Sequence, residues 1–160
     1  MLSEPNKRRL LSSFTTEKLV YAVVEPILIE LGYKLVDNLT IFPAQLYVKY
    51  NEFGQEELLA VCTSALPISN STGMQESTSA FIEQLTTAQN TKYRTSIGDS
   101  ISPLRLISVS SQSISQSIQE QLRTQFGSRL LVWSQDELVT LIDKHLPLFG
   151  TKSMRTHTPI

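Results

Sequence analysis

The groups whose type and spacing bear on chemistry in this 160-residue chain are a loose set of carboxylates, one thiol and two imidazoles. Asp37, Glu52, Glu56 and Glu57 lie near one another in sequence, and Glu25 and Glu30 belong to a helical stretch able to approach them. Carboxylates brought together this way hold Mg²⁺, which polarises a phosphate and activates water. The competing reading needs no metal: Asp37 and Asn38 form a turn while Glu52, Glu56 and Glu57 solvate the end of a hairpin. Cys62 sits in the apolar run Leu58-Leu59-Ala60-Val61-Cys62, a setting for an inert buried thiol rather than a nucleophile with a lowered pKa. His145 follows Lys144 at the end of a helical pattern, where a cation complements the dipole, and His157 lies in the tail. Cys62, His145 and His157 have no metal-ligand spacing, and no Gly-rich phosphate loop is present. Trp133, at the end of an apolar strand pattern, reads as core rather than as a stacking platform for bases.

The candidates for contact with phosphates are Lys7, Arg8, Arg9, Lys92 and Arg94, with Lys152 and Arg155 in the tail. A net charge of −1 and a pI near 6.1 create no global field for polyanions, so nucleic-acid binding would need a local patch of these residues. The chain is long enough for one domain with a real core, and its 41% apolar content sets it apart from disordered and membrane classes. A single cysteine excludes an internal disulfide and fits a reducing compartment. Lys7-Arg8-Arg9 is not followed by a signal-type apolar segment, and no run approaches the length of a membrane span. The expectation is a cytoplasmic protein without a membrane partner.

The positioning elements follow from periodicity. Residues 1–14 read as a flexible basic arm, 15–146 as one domain and 147–160 as a polar tail. Leu19, Val20, Val23, Val24, Ile27, Leu28 and Leu31 repeat at helical spacing between Thr15 or Thr16 as N-cap and Gly32 as terminator. Pro26 lies inside this helix and predicts a kink or break near Tyr21 and Ala22. Extended segments are expected at 33–36 and 39–42. Residues 44–50 and 57–63 read as a hairpin, and the apolar run in the second strand implies cover on both faces. Residues 64–79 and 91–103 read as polar connections on either side of a helix over 75–89. Strand 104–109, helix 113–126, strand 129–133 and a helix over 135–146 capped by Ser134 complete the order. Hairpin-joined strands followed by alternating helices and strands predict an α/β fold with a mixed central sheet flanked by helices. No internal repeat is present.

This order, together with three short motifs, resembles the restriction-endonuclease-like, or PD-(D/E)XK, superfamily and its Mrr-like members. The stretch from Glu25 to Tyr33, ending Leu31-Gly32-Tyr33, is similar to the first helix and turn of those proteins. Leu104 to Val109, followed by Ser110-Ser111-Gln112-Ser113, resembles their strand and Ser/Thr-rich turn. Leu130 to Val139 resembles their closing strand and helix start. The resemblance implies an acid at the end of the second core strand, then an acid or Gln and a Lys two residues apart on the third. Laid on this chain, those positions fall on Gln45, Val61 and Thr63. None supplies an anionic ligand or a cation, so the resemblance implies a degenerate catalytic motif and no cofactor.

The function expected on these grounds is that of a catalytically inactive nuclease-like subunit in a larger DNA-handling or defence-type assembly. A protein partner subunit is expected, while nucleic acid and a homo-oligomer are left open. Two alternatives stand beside it: an active Mg²⁺-dependent DNA endonuclease with a site rearranged onto carboxylates such as Asp37 and Glu57, and a plain α/β protein-binding module.

Overall fold

The computed structural model describes residues 3–36, 44–69, 73, 75–95 and 97–150. Its centre is strand β3 (Glu56–Ser64), which pairs antiparallel with β2 (Ala44–Tyr50) and parallel with β6 (Arg105–Ser110). The short β1 (Lys34–Leu35) adds antiparallel to β2, and β7 (Leu130–Trp133) adds parallel to β6, so the five-stranded sheet runs β1-β2-β3-β6-β7. The mixed α/β sheet expected from sequence is present. Among the described residues no helix is long and apolar enough to cross a membrane.

Alternation along β3 divides the core in two. Leu59 and Val61 face helices α1 (Glu4–Ser13), α2 (Thr16–Leu19), α3 (Glu25–Glu30) and α6 (Gln135–His145), together with Tyr47, Ile107, Val109 and Trp133. Leu58, Ala60 and Cys62 face α4 (Gln75–Gln89) and α5 (Gln116–Phe126), whose Phe81, Leu85, Ala88, Ile118, Leu122 and Phe126 supply the opposite layer. A strand apolar at every position is what two covered faces demand.

The break expected near Tyr21 and Ala22 is a π-helical turn over Val20–Val24 that joins α2 to α3 without interrupting the helical path. Pro26 has no N–H to donate, and the wider turn, closed by Glu25 N–H to the Val20 carbonyl five residues back, makes room for its ring. Thr15 caps the start, its Oγ1 accepting from Lys18 N–H at 3.1 Å. Gly32 ends the helix at φ 96°, where Tyr33 N–H returns to the Leu28 carbonyl. Leu31 turns outward instead of joining the apolar stripe.

Three expectations are corrected. Residues 4–13 form α1 rather than a loose arm. Pro5 pre-sets the first turn, and Lys7 and Leu11, one turn apart, are both buried on one face. The Lys7 ammonium pairs with Asp143 of α6, and Arg8 reaches Asp136 at 2.6 Å and Glu4 at 2.9 Å. The tail does not leave the domain at 147, because Phe149 is buried and meets Phe14 edge-on at 6.0 Å. The 91–103 connection contains a hairpin, β4 (Tyr93–Arg94) with β5 (Ser100–Ile101). Residues 1–2, 37–43, 70–72, 74, 96 and 151–160, with Asp37, Lys152, Arg155 and His157 among them, lie outside the described residues.

The α1–α6 clasp gives the first prediction. Lys7→Met, which keeps the stem but removes the charge, should cost about 1–2 kcal/mol of stability in denaturant unfolding, since half-exposed Asp143 regains water when its partner leaves. Adding Asp143→Asn should cost little more. Additive losses in the double variant would mean the two side chains do not interact.

Candidate functional site

The register places the three motif positions together. Gln45 lies directly opposite Val61 across the antiparallel pair, and Thr63 is two residues farther on, so all three side chains project from the same face. This is the geometry that a metal-dependent site on adjacent strands requires. Their exposures are 2% for Gln45, 0% for Val61 and 2% for Thr63. They lie in the layer covered by α1, α2 and the π turn rather than in an open cleft.

Local interactions hold that cover in place. Thr16 Oγ1 accepts from Ala65 N–H at 3.2 Å, fixing the start of α2 over the end of β3. The Gln135 carboxamide donates to the Ser111 carbonyl and to Ser12 Oγ, each at 3.0 Å, and Gln112 Nε2 reaches the Ser12 carbonyl at 3.2 Å. These bonds bring the end of α1 against the segments that leave β6 and β7. The start of α6 is fixed in turn by the Glu137 carboxylate, which accepts from Ser134 N–H at 3.3 Å and from its hydroxyl, as the sequence signature implied.

The covered layer carries polar atoms without partners. Gln45 Oε1, Tyr47 OH and Thr63 Oγ1 are buried and make no hydrogen bond. Burial pushes the Tyr47 hydroxyl far above the usual phenol range, and the nearby Glu25 carboxylate and Tyr21 add to the effect. Each such group costs about 1–3 kcal/mol when it gives up water without a protein partner. Periodicity alone did not single out Tyr47. Its position two residues from Gln45 on the same strand was the only available signal.

The other candidates scatter. Glu57 lies six residues before Thr63 on β3, roughly 20 Å away at the strand's rise, and opposes Lys49 across the hairpin. Glu30 Oε1 accepts a hydrogen bond from His145 Nδ1 at 2.7 Å, tying the end of α3 to the end of α6. Cys62 projects into the opposite layer, where burial pushes its thiol up to about 12. Of the basic residues, Lys7 is buried against Asp143 and Arg8 is held by two carboxylates, so neither presents a free charge to a phosphate. Arg9, Lys92 and Arg94 are exposed, although Lys92 donates to Ser102 Oγ at 2.8 Å.

No family model matches this chain, and no curated protein does so. Among solved structures it is similar to the MspJI restriction endonuclease in complex with a 27-mer oligonucleotide. The TM-score is 0.48 and the identity 12%, over 92% of this chain and 32% of that one.

Two predictions follow from the two layers. Thr63→Val, which is nearly isosteric and removes the unpartnered hydroxyl, should raise unfolding stability by about 0.5–2 kcal/mol; a loss would show that the hydroxyl has a partner in solution. The folded Cys62 thiol stays protonated to about pH 12, whereas an unfolded one ionises near its ordinary value of 9.0. Its contribution is therefore complete below pH 9 and is lost between pH 9 and 12, at about tenfold in the folding equilibrium per pH unit. Tyr47 acts in the same sense at higher pH. The alkaline slope should be shallower in Cys62→Ala, and native Cys62 should resist thiol reagents until the chain unfolds.

Proposed function

We propose that this chain is a catalytically inactive nuclease-like adaptor, a subunit that engages protein partners within a larger nucleic-acid-handling or defence-type assembly. One observation carries the reading. Gln45, Val61 and Thr63 share a face on adjacent strands, the arrangement that two-carboxylate metal chemistry needs, yet they are neutral and packed beneath helices. A phosphodiester would have to displace α2 to reach them, and a carboxylate placed there would lie in a layer that penalises charge by several kcal/mol.

The α/β order and the resemblance of the Leu31-Gly32-Tyr33 and Leu130-to-Val139 stretches support the nuclease-like part of the reading. Burial of the motif positions supports the inactive part. Of the basic residues singled out from the sequence, Arg9, Lys92 and Arg94 are exposed and available for phosphate contact. A binding role based on them would be salt-sensitive, with affinity falling as counterions compete.

The test measures binding and cleavage together, using labelled duplex and single-stranded DNA with and without Mg²⁺ or Mn²⁺ across a salt series. No metal-dependent cleavage is expected. Cleavage abolished by Asp37→Ala or Glu57→Ala would overturn the reading in favour of a rearranged acidic site. Installing the motif chemistry as Val61→Asp with Thr63→Lys should cost at least about 3 kcal/mol of stability and yield no activity, because the cover over β3 excludes substrate. A folded, metal-dependent nuclease from that variant would refute the claim that the site is closed.

A further inference from the structure

The two edges of the sheet are built differently. On one side β1 is two residues long and carries exposed Lys34, so it offers few backbone groups for pairing and sets a charge in the way of another strand. On the other side β7 closes the sheet, and among the described residues no strand lies beyond it. Its residues Leu130, Leu131, Val132 and Trp133 include no charge, proline or glycine. The register with β6 runs from Leu130 to Trp133 without a bulge. Lysine, proline and bulge, the devices that blunt an edge, are thus absent from β7, and the outward row of N–H and C=O groups remains open to a further strand.

The side chains of this edge are complementary to one another. Trp133 belongs to the layer of α1, α3 and α6, and by alternation Leu131 points to the same side. Leu131 is 41% exposed, whereas Trp133 is largely buried and walls a groove of about 300 Å³ with Leu141, bordered by Asp136, Glu137 and Thr140. One face of one strand therefore carries a protruding leucine and, two residues on, an apolar wall beside an open space. That is the requirement of an isologous interface, in which a single patch supplies both knob and hole.

Strand geometry then selects the pairing. Residues directly opposed across an antiparallel pair share a face, so a two-fold axis perpendicular to the sheet must pass through a residue and not between two. With the axis through Val132, Val132 opposes its own copy, and Leu131 of each chain opposes Trp133 of the other, next to the groove. Charge agrees with this direction. Arg129, just before the strand, donates to the Pro103 carbonyl, and Glu137, in the first turn after it, accepts from Ser134. Neither pairs with an opposite charge among the described residues. Antiparallel strands bring the Arg129 end of one copy towards the Glu137 end of the other, whereas parallel strands would set like beside like.

We propose that β7 is the interface of a homodimer, in which two copies join edge to edge through antiparallel β7 strands to form one continuous sheet. The proposal goes beyond the adaptor reading and does not depend on it, since neither catalysis nor nucleic acid enters the argument.

The test is sedimentation equilibrium of the full chain from micromolar to millimolar concentration, where the mass should rise from 18.0 kDa to twice that value. Leu131→Lys, at an exposed position and therefore expected to fold, should raise the dissociation constant at least tenfold. Its thermal midpoint at micromolar concentration should match that of the parent chain. Phe53→Ser, at the distant β2–β3 turn, should leave association unchanged. Register is read by cross-linking, because the native Cys62 is buried and an introduced thiol reacts alone. Val132→Cys should form an intermolecular disulfide at least tenfold faster than Leu131→Cys, whose two copies lie too far apart to be bridged despite their greater exposure. A monomer at every concentration, a dimer indifferent to Leu131→Lys, a dimer abolished by Phe53→Ser, or faster cross-linking through Leu131→Cys would each overturn the proposal. DNA cleavage by the chain would overturn the adaptor reading and leave these measurements unmoved.

Discussion

The rest of the molecule depends on the double burial of β3. From Leu58 to Thr63 every side chain is covered, alternately by α1, α2, α3 and α6 on one side and by α4 and α5 on the other. An edge or one-sided strand tolerates a charge every second residue by turning it to water; this strand has no such face. The same constraint supplies much of the hydrophobic driving force and makes charge costly, because a carboxylate or ammonium at Val61 or Thr63 would have to be desolvated.

Covering β3 on the Val61 side takes more than apolar contact. The helix from Thr16 to Glu30 must pass over the sheet while containing a proline, and the π turn at Val20–Val24 lets it do so without exposing the strand beneath. The α1–α6 clasp then seals the C-terminal ends of β6 and β7. Cations that in another arrangement would face a polyanion are used internally there, with Lys7 on Asp143 and Arg8 shared between Glu4 and Asp136.

Much of this was legible in the sequence, and the misses have physical causes. The β2–β3 hairpin, the parallel β6 and β7 strands and the α6 capping box follow from period, turn residues and Ser134 with Glu137, all of which act within a few residues. Helix α1 was hidden because its buried face is completed by a lysine, and only the distant Asp143 makes that burial tolerable. Phe149 was hidden for the same reason, since its partner Phe14 lies at the other end of the chain. The β4–β5 hairpin has two-residue strands, too short for alternation to register against polar surroundings. The shared face of Gln45, Val61 and Thr63 was legible, but its cover was not: whether Gln45 faces solvent or a helix depends on where residues 12–24 pack.

The polar atoms left in the closed layer point to what the face has to accommodate. A layer selected only for packing would hold aliphatic residues at positions 45, 47 and 63, and each hydroxyl or amide without a partner there subtracts from a stability that is marginal in any domain of this size. The opposite layer, facing α4 and α5, takes Leu46, Ala60 and Cys62 from the same stretches of β2 and β3. The difference between the two faces is therefore not a property of the strands as secondary structure. Among the described residues the face of Gln45, Tyr47 and Thr63 carries three such groups, whereas the other layer carries the Ser108 hydroxyl beside Cys62.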